Sequence, residues 1–110
     1  MTAILIALAL QGAPLAPAVA ADARCVLIFG SVRTTSTPEQ QATARAGVLY
    51  YVGKMRGRQP GVDVAGTIRR AAEQARTSNL KAQAEVARCT GEAESAGKAL
   101  GALRSALNKP

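Results

Sequence analysis

The sequence predicts a small all-α domain, a bundle of four or five helices stapled by one disulfide. Three observations carry that prediction. Apolar residues recur at intervals of three and four, and no stretch alternates apolar with polar long enough to build a strand. Helix-start signals stand at Thr37-Pro38-Glu39-Gln40 and at Asp63. The two cysteines, Cys25 and Cys89, each fall on the apolar stripe of a helical segment.

At 110 residues the chain makes one domain. Alanine supplies much of its apolar content and buries little area per residue, so a covalent staple would offset a modest core. With 14 basic residues, 7 acidic residues and no histidine, the formal charge is +7. That balance favours attraction to anions and leaves the fold undetermined.

Residues Met1 to Ala20 contain no charged side chain. The apolar run Ile4 to Leu10 is followed by Pro14 and Pro17, expected to break any helix, and by the small-residue site Ala18-Val19-Ala20. This pattern reads as a secretory signal peptide, although no cationic side chain precedes the apolar run. A spanning anchor would need about 20 apolar residues without two prolines. Arg24 directly before Cys25 argues against lipidation. The expected organisation is a signal over 1–20 and a helical domain over 21–110, periplasmic or secreted.

Within that domain the first helix is expected near Asp22 to Arg33, with Cys25, Ile28, Phe29 and Val32 on its apolar stripe and Thr34-Thr35-Ser36 ending it. The second follows the capping box at Thr37 and Gln40 and runs to about Arg56. Its apolar face is Ala44, Val48, Tyr51, Val52 and Met55, and Gly57 and Pro60 stop it. Asp63 caps a third helix carrying Val64, Ile68, Ala71 and Ala75, with Glu73 spaced to pair with Arg69 and Arg76. Thr77-Ser78-Asn79 breaks or recaps the chain. The last segment, Leu80 to Leu107, carries a seam of Cys89, Ala93, Ala96, Leu100, Leu103 and Leu107, too short and alanine-rich to hold a dimer alone. Gly91, Gly97 and Gly101 weaken this helix unless they admit a close neighbour, and a bend near Gly91 would split it.

An even cysteine count in a short exported chain reads as a disulfide, here Cys25–Cys89. A bridge of this span contributes about 4 kcal/mol by loop entropy. Two cysteines without histidine do not complete a metal site, and no metal or cofactor is expected.

Catalytic patterns are sparse. Without histidine there is no ordinary serine or cysteine triad. Ser78-Asn79-Leu80-Lys81 and Ser95-Ala96-Gly97-Lys98 match the serine-lysine spacing but lack the companion motifs of that enzyme class. Gly91 to Ala99 departs from a phosphate loop in its spacing and in Ala99, which replaces the magnesium-binding hydroxyl. Glu92 and Glu94 do not share a helix face. The chain therefore reads as a non-enzyme. Lys54, Arg56 and Arg58 have two readings. The more economical is stabilisation of a helix C-terminus by about 0.3–1 kcal/mol. The functional one is a candidate anion-binding patch for lipid or glycan. Nucleic acid is not expected, because no aromatics interleave with the cations.

The segment Tyr50-Tyr51-Val52-Gly53-Lys54-Met55-Arg56-Gly57-Arg58-Gln59-Pro60, with one early and one later cysteine, resembles a group of small exported bacterial helical proteins that brings no activity to transfer. More distantly the chain resembles periplasmic acid-stress chaperones of the HdeA type, in length, in its cysteine placement and at Asp63-Val64-Ala65-Gly66. That resemblance implies an all-helical bridged domain that binds unfolded envelope proteins after acid protonates its carboxylates. Only 7 carboxylates stand against 14 cations here. Acid self-repulsion would therefore be spread over the surface, and helicity is expected to change little between pH 7 and about pH 3. Two partner classes result: unfolded envelope proteins, or an anionic envelope surface contacted by a basic face.

Overall fold

The computed structural model describes residues 14–32 and 35–109. Among them are four helices and no strand: α1 Pro17–Gly30, α2 Pro38–Arg58, α3 Val64–Arg76 and α4 Ala82–Leu107. The all-α bundle and its single disulfide agree with the sequence expectation. The run Ile4 to Leu10 and the pair Arg33-Thr34 lie outside the described residues.

α1 starts earlier and stops earlier than its periodicity predicts. Pro17 opens the helix rather than breaking it, since a missing N–H costs nothing in the first turn. The three residues of the candidate cleavage site therefore lie in this helix, and Val19 and Ala20 are buried. At the other end the chain turns at Ser31, whose hydroxyl donates to the Ile28 carbonyl at 2.7 Å. Val32 consequently leaves the stripe and is exposed.

α2 begins as its sequence dictates. The Gln40 N–H donates to Thr37 Oγ1 at 3.1 Å, and the Thr37 N–H donates to Gln40 Oε1 at 3.0 Å. This satisfies two otherwise orphaned donors. The helix continues past Gly57 to Arg58, and the turn that follows uses Gly61 at φ +81°, a backbone conformation suited to glycine. α3 is capped by Asp63, whose Oδ1 accepts from the Gly66 N–H at 3.1 Å. It ends where the Thr77 and Ser78 hydroxyls donate to the carbonyls of Gln74 and Ala75. No ion pair links Glu73 to Arg69 or Arg76, which are exposed.

α1 is the hub, packing against α2, α3 and α4. Its small side chains make this feasible: Ala23 and Cys25 are fully buried, with Val26 and Phe29 beside them. Tyr51 and Met55 of α2, Ala71 of α3 and Cys89 of α4 complete the core. α2 approaches closely at Gly47, where an added Cβ would stand 2.5 Å from the Phe29 ring. The Cys25–Cys89 bridge spans 64 positions with a Cα–Cα distance of 5.4 Å.

α4 is a continuous helix through Gly91, not two segments. No close neighbour offsets the cost of its glycines: a Cβ at Gly91, Gly97 or Gly101 would meet nothing within 4 Å. Only the first half of α4 joins the core, through Cys89 and Ala93. No helix among the described residues is long and apolar enough to cross a membrane.

Candidate functional site

The most organised polar region surrounds the disulfide. It begins at Asp22, on the turn of α1 before Cys25. Asp22 is 2% exposed, and such a carboxylate persists only with partners. Two come from α2: Arg58 Nε donates to Asp22 Oδ2 at 2.7 Å, and Lys54 Nζ lies 3.4 Å from Asp22 Oδ1. Positions 54 and 58 are one helical turn apart, so both cations reach the same acid.

From Lys54 the chain of charges passes to α4. Lys54 Nζ is 3.4 Å from Glu92 Oε2, and Arg88 donates to Glu92 Oε1 at 2.9 Å. Arg88 also donates to Glu85 Oε2 at 2.6 Å, and Arg24 donates to that same oxygen at 3.0 Å. Seven residues thus alternate in sign from Arg58 through Asp22, Lys54, Glu92, Arg88 and Glu85 to Arg24. Arg88 further donates to the Ala21 carbonyl at 3.1 Å, tying α4 to the backbone of α1. The network joins three helices on the side of the bundle where the disulfide already joins two.

Aromatic residues back this network. The Tyr51 hydroxyl donates to the Cys89 carbonyl at 3.0 Å and lies 3.2 Å from Glu92 Oε1. Tyr51 stacks with Phe29 at 6.0 Å and meets Tyr50 edge-on at 4.8 Å. Lys54 Nζ stands 5.5 and 5.3 Å from the Tyr50 and Tyr51 ring centres, so the ring faces supplement its carboxylates.

The surroundings set the titration of these groups. Burial pushes the Tyr51 hydroxyl well above its ordinary range, and the Glu92 charge pushes the same way. Burial also pushes Glu85 up, but hydrogen bonds from Arg88 and Arg24, with their charges, outweigh it and hold the carboxyl low. Glu92 behaves likewise: burial raises it, while Lys54, the Tyr51 hydroxyl and Arg88 together lower it. For Arg88, burial disfavours the cation, yet Glu85 and Glu92 over-compensate and raise its pKa.

The three cations considered as a patch at the end of α2 are Lys54, Arg56 and Arg58, two of which are engaged with acids. Lys54 pairs with Asp22 and Glu92 and Arg58 with Asp22, while Arg56 and Arg58 are both exposed. Lys54 and Arg58 thereby compensate the buried Asp22. The other short motifs do not form sites. Ser78 Oγ is bonded to a backbone carbonyl, Ser95 is exposed on α4, and Gly91 to Ala99 is helix rather than loop. No group of three or more metal-ligating side chains gathers among the described residues.

The sequence reading weighed Arg24 and Glu92 for other roles and did not link them with Asp22, Glu85 and Arg88. A usable signal was present. Oppositely charged residues flank both cysteines, so closing the bridge brings Asp22 and Arg24 up to Glu85, Arg88 and Glu92.

No known family model, curated protein or solved structure matches the chain. One apolar opening beside the buried Phe29 lies between the end of α1 and the outer side of α2. It is a groove of about 390 Å³ lined by Phe29, Val32, Ala44, Val48 and Leu49, with Arg45 at its edge. Leu49 is 72% exposed there.

Proposed function

We propose that this chain is an exported, non-catalytic binding protein, chaperone-like and stress-related, that holds apolar segments of unfolded envelope polypeptides in the groove between α1 and α2. The observation that carries the reading is the exposed pair Val32 and Leu49 beside a half-buried Val48. Contiguous exposed apolar surface on so small a bundle marks an interaction site rather than a packing residue. The groove is open and has few polar groups to orient a ligand, which suits varied apolar segments. The disulfide and the ion-pair network support such a role by holding the helices while the groove stays accessible.

The test is suppression of client aggregation by the oxidised protein, at pH 7 and at about pH 3. Leu49→Glu places a charge in the groove at an exposed position, so the fold survives. It should abolish most of the suppression. Equal suppression by the variant, or none by the parent protein, would remove this reading.

A second reading has its own observation. Arg45, Arg56, Arg69 and Arg76 are exposed and have no carboxylate within ion-pair distance. Such exposed cations suit an envelope structural or interaction protein that contacts anionic lipid or glycan. It would bind anionic vesicles at low salt and release them at high salt, independently of Leu49.

A further inference from the structure

We infer that α4 is a releasable arm, fastened to a separately packed α1–α3 unit by a buried disulfide behind an ion-pair latch, and freed by a dithiol reductant. This device is separate from the groove between α1 and α2.

The division follows from where the core sits. Ala23, Val26 and Phe29 of α1, Tyr51 and Met55 of α2 and Ala71 of α3 pack together, with Val52, Val62, Val64 and Ile68 around them. Asp22 holds Lys54 and Arg58 across the same contact of α1 with α2. None of these side chains belongs to α4. Of the 26 residues of α4 only Cys89 is buried, with Ala93 partly so. α4 packs on α1 and α2 and not on α3, its neighbour in sequence.

What holds α4 is covalent and polar. The bridge ties Cys89 to Cys25. Arg24 pairs with Glu85, Lys54 with Glu92, and Arg88 donates to the Ala21 carbonyl. The Tyr51 hydroxyl donates to the Cys89 carbonyl. All these attachments fall between Glu85 and Glu92, about two turns of helix. Beyond Ala93 the helix continues with Leu100, Leu103 and Leu107 exposed. Its other end carries a hinge. Residues 77–81, which join α3 to α4, are all exposed, and Lys81 starts α4 without a side-chain capping bond.

Both cysteines are fully buried, so a thiolate reaches neither sulfur while α4 is seated. The ion pairs holding α4 are partly exposed, and water replaces them at little cost. The α1–α3 core has no such route to opening. Local opening of α4 therefore precedes global unfolding and admits the reductant. One thiolate of the dithiol attacks a cysteine sulfur and forms a mixed disulfide. The second thiol then closes the dithiol's own disulfide and expels that cysteine. Two electrons and two protons pass from the dithiol to Cys25 and Cys89, which leave as separate thiols. The remaining partly exposed polar contacts do not hold α4 by themselves. Its release uncovers Cys25, Tyr50 and Tyr51 on the unit, and Cys89 and Ala93 on the arm. Apolar surface hidden in the oxidised chain is thus presented by the reduced one.

Reduction kinetics and hydrogen exchange on the full oxidised chain provide the test. With dithiothreitol, the rate of bridge loss, followed by thiol labelling, should be nearly independent of urea below about 1 M, because opening α4 exposes little surface. A slope equal to that of global unfolding would overturn the arm. Arg88→Met removes the central cation of the latch and should speed reduction by about tenfold or more. Arg76→Met, an exposed cation of α3 outside the network, should leave the rate unchanged. After reduction, the amides of residues 85–93 should exchange about a hundredfold faster, while those of residues 47–55 in α2 change by less than about tenfold. Cys25→Ser with Cys89→Ser should show the same pattern without reductant. Loss of protection in all four helices together, retained protection over 85–93, or no acceleration in Arg88→Met would each overturn the proposal.

Discussion

The Tyr51 hydroxyl donates to the Cys89 carbonyl oxygen, so a side chain of α2 is bonded to the backbone of α4 at the disulfide itself. Glu92, one turn further along α4, stands beside the same hydroxyl. The phenol thus links the covalent staple to the ion-pair network, and it does so with both its ring and its hydroxyl buried. Tyr51→Phe keeps the ring contacts with Phe29 and Tyr50 and removes only the donor. It should destabilise the chain by about 1–2 kcal/mol. Urea denaturation of the oxidised protein would measure this. A change under about 0.3 kcal/mol would show that the bond contributes nothing net.

Asp22→Asn tests the start of the network. The substitution preserves shape but leaves Lys54 and Arg58 without the charge they converge on. Both cations retain some access to solvent, so the loss should fall below that of a fully buried pair, at about 1–3 kcal/mol. An Asp22→Asn protein as stable as the parent would reduce the network to a surface decoration.

Gly47→Ala tests the close approach of α1 and α2. In most exposed helix positions this change stabilises by reducing unfolded-state freedom. Here the added methyl collides with the buried Phe29 ring, and the helices must separate or the ring must turn. The expected result is destabilisation by about 1–3 kcal/mol. Gly53→Ala, where nothing lies within 4 Å, should be neutral or stabilising in the same thermal-melt series.

The pH dependence has two limbs. Glu85 and Glu92 are held below their ordinary range in the folded chain. Their contribution is complete above the unfolded glutamate value of about 4.3, and is lost as pH falls through the lower folded values. Three of the 7 carboxylates, Asp22, Glu85 and Glu92, sit in this one network. The acid-sensitive contributions of Glu85 and Glu92 therefore fall together beside the disulfide. Far-UV helicity should still change little to about pH 3, because the disulfide and the core remain, while the near-UV tyrosine signal should change as Tyr51 and Glu92 part. Tyr51 behaves oppositely: its pKa is raised, so its contribution is complete below about pH 10 and is lost as pH rises above that. Denaturation midpoints across pH 2–12 should fall at both ends. A flat alkaline limb would contradict the buried phenol.

Processing is testable directly. Protein recovered from an exporting host should begin at or within about three residues of Ala21. Cleavage there removes the first turn of α1, including Val19 and Ala20, and leaves Asp22 in the new first turn, where the helix dipole favours a carboxylate. The network around the disulfide should survive intact. Intact mass showing Met1 retained in the exported fraction would contradict the assignment.

Much of the local structure was legible in the sequence. Thr37 with Gln40, and Asp63, placed the starts of α2 and α3 because capping is a bond between residues three apart. The pairing of Cys25 with Cys89 was legible because only one partner exists. The boundaries of α1 were not: Pro17 has opposite consequences inside a helix and at its first turn, and local sequence does not say which applies. The purpose of Lys54 and Arg58 was hidden for a different reason. Read along α2 they form a solvated basic run, and their acids lie far away in the chain, on α1 and α4. By itself the sequence determined the elements and the staple, since caps, periodicity and a single cysteine pair act locally or without rival. Only the tertiary structure decided which charges are spent on each other, and that α4 leaves three leucines uncovered. Both depend on how helices distant in sequence meet, where burial compels partners for Asp22 and offers none for Leu100, Leu103 and Leu107.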